Sequence, residues 1–367
     1  MGDGAVSREF GQKRSRIREY MQKRGLDALL LGRQSNVSWY LCGAEAYVSI
    51  ASERAAATLL LTREQDYLIT NNIEAPRIRD EELNGVDVCL IEEPWHTAPS
   101  AVREHMPVGS PGADIPFAGV ADVSAEVAAL RYSLLPEEVD RYARLGADTA
   151  SALDDAVVSV KPGVSECAVA GAMAEALLGR HVTPALLLVA MDERIERYRH
   201  PLPTGKTLDK TAMLVVCGRR GGLIISMTRM VHIGRLPSAL RRKHDAVTRV
   251  DAAYLDATRP GMPVADVFDC GCRVYAESGY ADEWRLHHQG GATGYAGRDY
   301  KGMQSSSETV QAWQAFAWNP SICGTKSEDT MLAAPEGPRI ISKTSIWPML
   351  SHEVNGNVYY RPDILEL

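Results

Sequence analysis

At 367 residues the chain is long enough for two domains and a large core, and its 45% hydrophobic, 24% charged composition is that of an ordinary globular protein. A formal net charge of −7 gives no electrostatic reason to expect nucleic acid or an anionic membrane as partner, and no run of eighteen apolar residues occurs. Seven scattered cysteines without CxxC spacing argue against a disulfide framework or a structural zinc site, and residues 1–20 carry no apolar signal core, so a cytoplasmic protein is expected.

In chain order, residues 9–25 place Ile17, Tyr20 and Met21 at helical spacing and stop at Gly25, and residues 26–32 read as a short buried strand. Further strands are expected at 56–62, 67–70 and 86–92, separated by polar helical stretches, which describes an α/β layer. Residues 98–123 are rich in Pro, Gly and Ala and read as the approach to a domain boundary near 130. Pro136, Glu137 and Glu138 then open a helix that stops at Lys161-Pro162-Gly163, and a second helix follows over 166–178. After residue 236 the pattern repeats: a helix over 237–258, the break Arg259-Pro260-Gly261, and a helix over 265–277.

Between these helical pairs lie two apolar runs, 213–217 and 223–228, joined by the glycine-rich segment 218–222, which read as a hairpin buried on both faces. A polar loop holding His200, Pro201, Pro203 and Thr204 leads into it. The order His-Pro-x-Pro-Thr, strand, glycine turn, strand, Thr228-Arg229 resembles the centre of the creatinase/aminopeptidase P family. The segment from Asn36 through Tyr40 and Leu41 to Gly43, and the stretch 130–166, are similar to that family's N-terminal domain and to the entry of its catalytic domain. The resemblance implies an α/β (α+β) chain with a smaller creatinase-type N-terminal domain, 1–130, and a catalytic domain of pita-bread fold, 131–367.

In the metallopeptidase members of that family the hairpin carries two aspartates that bind a pair of divalent metals. Here the first matches Val216 and the second Ser226, or Met227 if the turn is aligned without a deletion, and none is a hard-metal ligand. His200 matches the histidine held against substrate. In Leu286-His287-His288-Gln289-Gly290-Gly291, His287 matches the family histidine best, with Gly291 as the alternative, and His288 adds a second imidazole. Tyr295 and Arg298 are similar to a creatinase segment whose arginine faces the substrate carboxylate, work suited to a bidentate guanidinium. Asn319 stands where the first metal-binding glutamate belongs, and Glu328 keeps the second.

Of five expected ligands the sequence thus offers Val216, Ser226, His287, Asn319 and Glu328, from which no two-metal centre can be built, so neither metal nor cofactor is expected. The resemblance then implies a metal-independent, creatinase-like hydrolase acting at a C–N bond of a small carboxylate- or amide-bearing substrate. His200, His287 and Glu328 would be catalytic; Arg298, His288, Tyr295, Asn319 and Ser226 would bind substrate. A homodimer is implied too, although residues 44–51 lack the aromatic-x-arginine pair of creatinases, which argues against creatine itself. Two alternatives stay open: an isomerase, lyase or cyclase on the same scaffold, and a binding protein without catalysis.

Overall fold

The leucines at 29, 30 and 31 are fully buried at the centre of a six-stranded sheet. In the computed structural model, which describes residues 3–367, this sheet belongs to the first of two compact units, which ends at Glu137. Its strands are β1 (Ala28–Arg33), β2 (Arg54–Thr62), β3 (Asp66–Asn71), β4 (Cys89–Glu93), β5 (Pro111–Ala113) and β6 (Ala121–Asp122), in the order β4-β3-β2-β1-β5-β6. β1 pairs antiparallel with β2 and parallel with β5, so the sheet is mixed. The helix Asp3–Arg24 buries Phe10, Ile17, Tyr20 and Met21 on one face, the spacing expected of an amphipathic helix. Lys13 is buried on it as well, paired with Glu9 at 2.6 Å, because an unpaired buried ammonium would be costly.

The second unit, Glu138–Leu367, is built around the hairpin. Helix Pro136–Ala156 is followed by the break at Gly163 (φ +84°) and by helix Glu166–Leu178, capped by the Ser165 hydroxyl accepting from the Ala168 N–H at 3.2 Å. Helices Ser238–Ala257 and Val264–Glu277 repeat the arrangement, each preceded by a proline in extended conformation, Pro237 and Pro263. The strands β7 (Thr183–Met191), β8 (Thr211–Arg220) and β9 (Leu223–His232) form an antiparallel sheet, closed beyond β9 by the parallel strand Leu365–Glu366. Gly221 and Gly222 turn β8 into β9 with φ of +56° and +75°, the two positive values that a tight hairpin turn requires.

A five-stranded sheet follows. It contains β10 (Gly290–Thr293), β11 (Tyr300–Lys301) and β12 (Ala315–Trp318), and beyond the small ladder of β13 (Ser321–Ile322) with β14 (Thr325–Lys326) it continues with β15 (Asp329–Ala334) and β16 (Gly337–Ile340). Its core is aromatic: Tyr254 and Trp318 stack at 4.6 Å, and the Trp318 indole donates to Thr258 at 2.9 Å. Gly271 makes room for this stack, since a Cβ there would lie 2.1 Å from the Tyr254 ring. Main-chain hydrogen bonds join the two sheets of the unit, from the Thr228 N–H to the Glu328 carbonyl at 3.0 Å and from the Ile224 N–H to the Gly294 carbonyl at 2.8 Å. The layers, the helical pairs and the central hairpin are those of the pita-bread fold.

Candidate active site

Four segments deliver polar side chains to the seam between these sheets. His200 stands on the loop after the short helix Glu193–Arg197. The short segment between the helical turn Glu283–Leu286 and β10 carries His287 and His288. Arg298 lies between β10 and β11. β14 and the head of β15 carry Lys326 and Glu328.

The hairpin presents a different pair from the one expected. Side chains alternate along a strand, and a slip of one residue exchanges the faces. The Thr228 hydroxyl donates to Glu328 at 2.7 Å, so the face holding Thr228 is the one turned to Glu328, and Ser226, two residues before, shares it. Opposite Ser226 in the ladder is Cys217, and the two side chains share a hydrogen bond at 3.2 Å. Val216 and Met227 turn to the other face, buried to 1% and 0% exposure. Cys217, not Val216, therefore stands where the first metal-binding aspartate was expected. Burial, together with Glu328, pushes its thiol above its ordinary pKa, so the group is neutral.

Glu328 is buried and its Oε2 accepts from Lys326 Nζ at 2.7 Å and from Thr228; among the described residues its Oε1 has only the Arg298 guanidinium, 3.9 Å away. Burial alone would raise its pKa, but Lys326 and Arg298 outweigh it and hold the carboxyl below the usual range. Arg298 itself donates through Nη1 to the Ala317 carbonyl at 2.9 Å, leaving Nη2 directed to the carboxylate at beyond hydrogen-bonding distance. Lys326 went unnoticed in the sequence as a site residue. The available signal is its place two residues before Glu328, which puts both on one face of an extended segment.

The histidines converge. His200 Nε2 and His287 Nε2 lie 3.1 Å apart although 87 residues separate them in sequence. The rings of His287 and His288 stack at 4.4 Å with 27° between planes, so consecutive residues that an extended chain would point apart face the same way. His287 is buried and its Nδ1 has no hydrogen-bond partner, whereas His288 Nδ1 accepts a long bond, 3.3 Å, from the Gly290 N–H. Burial first, and then Lys326 and the neighbouring imidazoles, push His287 far below its ordinary pKa. Burial and the cations Arg298 and Lys301 push His288 down to about 4. His200 is lowered too, by burial and Lys326. All three are neutral near pH 7 and keep a lone pair.

Gly291 cannot take the place of His287. Its φ is +143° and a Cβ would lie 2.3 Å from the Tyr300 carbonyl oxygen, so the position demands glycine. Tyr295 commits its hydroxyl to the helix Pro136–Ala156, donating to Glu138 at 2.7 Å and accepting from Arg141. Asn319 is buried beside Gln289, with its Oδ1 unpartnered. A pocket of only about 10 Å³ opens beside His287 and Lys326. A cavity of about 710 Å³ lies elsewhere, between β16 and the hairpin Met349–Pro362, and none of the three histidines lines it. The histidine cluster is the better guide to the chemistry, because volume alone places no reactive group.

These residues do not fit the pair of divalent metals that the family resemblance implies. Two such ions need several carboxylate oxygens. The five matched positions supply a thiol, a hydroxyl, an imidazole, an amide and one carboxylate whose Oε2 already takes an ammonium and a hydroxyl.

Comparison with known proteins agrees over both units. A model of the creatinase/prolidase N-terminal domain matches residues 13–119, and the model of metallopeptidase family M24 matches residues 141–335, more than half of the chain. An Xaa-Pro dipeptidase of Pyrococcus horikoshii is 22% identical over 91% of this chain and 98% of its own length. Among solved structures, the prolidase of Pyrococcus horikoshii superposes with a TM-score of 0.79 at 17% identity, covering 91% of this chain and 99% of that one. The Xaa-Pro dipeptidase of Bacillus anthracis gives 0.78 at 15% identity, covering 98% and 100%. These findings correct the expectation of a metal-independent, creatinase-like enzyme: the matched catalytic model is that of a metallopeptidase family, and these relatives carry peptidase names. Among the described residues, no helix is long and apolar enough to cross a membrane.

Proposed function

Because this chain belongs to metallopeptidase family M24, we propose that it hydrolyses the amide C–N bond of a dipeptide, Xaa-Pro dipeptides included, or of a similarly small N-acylated amino acid. The observation that supports this reading is the cluster of neutral imidazoles, His200 and His287 at 3.1 Å with His288 stacked beside them, next to the buried Glu328–Lys326 pair. Arg298 Nη2 anchors the substrate carboxylate. Activation of water is assigned to the imidazole cluster, which is uncharged at neutral pH and so offers lone pairs to a proton or to an ion. The Lys326 ammonium faces the oxygen that gains charge when the carbonyl is attacked, and Glu328 holds that ammonium in place. The C–N bond then breaks with a proton delivered to the leaving nitrogen, giving an acid and an amine.

Release of free amino acids from a panel of dipeptides, followed by chromatography, tests the proposal. His287→Ala is expected to lower turnover by about 10²-fold or more, the usual contribution of a positioned acid/base or electrostatic group. No release from any dipeptide, with the protein as purified or after incubation with divalent metals, would sink it.

A further inference from the structure

We infer that His200, His287 and His288 form a site for a single transition-metal ion of the zinc or cobalt type, in place of a two-metal centre. The ion's role in turnover rests on the hydrolysis proposed above; its binding does not. The separation of the first two donors is the strongest reason. Two nitrogens bound tetrahedrally to zinc at about 2.0–2.1 Å stand about 3.3 Å apart, and His200 Nε2 and His287 Nε2 lie 3.1 Å apart. Donor atoms of all three histidines lie within 4.8 Å of one another, so closing on a common ion needs shifts of at most about 1.5 Å. The exposed loop of His200 and the half-buried ring of His288 can supply such shifts by side-chain rotation.

The donors are also available. Among the described residues nothing holds His287 Nδ1, so the ring can carry its proton there and turn the Nε2 lone pair, now shared with His200 Nε2 at 3.1 Å, to an ion. The bond from Gly290 to His288 Nδ1, at 3.3 Å, is weak enough to give up. The Lys326 charge would oppose an ion, but Glu328 neutralises it at 2.7 Å. Three imidazoles without a carboxylate favour zinc, cobalt, nickel or copper over magnesium, calcium or manganese. Three protein ligands leave a fourth position open, the pattern of catalytic rather than structural zinc.

The test uses untagged, full-length protein stripped by dialysis against a chelator. It is titrated with Co(II), followed by visible absorption, and with Zn(II), followed by calorimetry. One equivalent of either ion is expected, cobalt giving the ligand-field bands of a nitrogen site of low coordination number. His200→Ala, His287→Ala and His288→Ala should each weaken binding by about 100-fold or more, since even a lost outer-shell partner costs 10–100-fold. His96→Ala, on an exposed turn, should leave binding unchanged. In case a variant fails to fold, proton NMR of the cobalt-loaded parent needs no substitution: three paramagnetically shifted, exchangeable imidazole N–H signals are expected. Binding of neither ion, undiminished binding in any of the three folded variants, or fewer than three such signals overturns the site. Cobalt held by all three histidines in a protein that releases no amino acid sustains the site and overturns the peptidase reading. Amino-acid release by a protein that binds neither ion does the reverse.

Discussion

Glu328 and Asp329 are neighbours in sequence, both are buried, and they face opposite ways into surroundings of different kinds. Asp329 takes Arg229 at 2.8 Å and Ser342 at 2.6 Å on one oxygen and Arg361 at 2.6 Å on the other. Arg361 is shared with Asp251, so two carboxylates and two guanidinia close a network between the hairpin, the helix Ser238–Ala257 and the C-terminal strand Asn357–Pro362. Glu328 uses one oxygen for Lys326 and Thr228 and, among the described residues, leaves the other without a hydrogen bond. Both carboxylates are compensated for burial, but only the first is saturated. A saturated buried ion fixes a scaffold; an unsaturated one keeps capacity for a ligand.

The largest expected effect lies on the saturated side. Arg361→Met leaves Asp251 and Asp329 short of their counter-charge and should cost about 3–5 kcal/mol of stability, measured by urea unfolding. A loss below about 1 kcal/mol would show that the network is not the clamp described. On the unsaturated side the outcome should invert. The double substitution Lys326→Met with Glu328→Gln removes both charges together and should leave the unfolding midpoint almost unmoved, since a buried pair replaced as a pair is often neutral. Turnover should nevertheless fall by about 10²–10³-fold, as when an electrostatic donor to a developing oxyanion is lost.

Histidines sharpen the comparison further, with a smaller effect. His244 is a scaffold residue: Nε2–H donates to the Pro362 carbonyl at 3.1 Å and Nδ1 accepts from Thr325 at 2.7 Å. Burial pushes its pKa down to about 4 from an ordinary value of 6.5. The unfolded chain therefore takes up a proton first as pH falls. The stability contributed by keeping His244 neutral is complete above pH 6.5 and is lost progressively between 6.5 and 4, by at most about 1.4 kcal/mol per pH unit. Unfolding midpoints across that window should flatten in His244→Gln; an unchanged slope would assign the acid sensitivity to other groups.

Much of the fold could be read from punctuation. Pro136 with its acidic neighbours, the Pro-Gly breaks and the hairpin glycines sit at element ends, and the helices Glu166–Leu178 and Val264–Glu277 fall within a residue of the expected ranges. The site was less legible, for three physical reasons. The family match placed the first hairpin aspartate at Val216. Counting back from Thr228 and across the ladder selects Cys217, and the two routes differ by one residue, hence by a face. An extended chain would point His287 and His288 apart, yet their rings stack, and no sequence pattern signals it. The third reason is distance along the chain: tallying carboxylates at family positions could not reveal that an imidazole from the loop at 200 would meet one at 287. The hairpin Met349–Pro362, which carries Arg361, follows no motif that was recognised.

The backbone bridge between Thr228 and Glu328 gives the site one fixed point. Because that spacing is set by main-chain atoms, the carboxylate keeps its station whatever side chains occupy 217, 226, 287 or 319. Exchanging a side chain at any of those positions therefore alters what the site can bind while leaving its main-chain anchor in place.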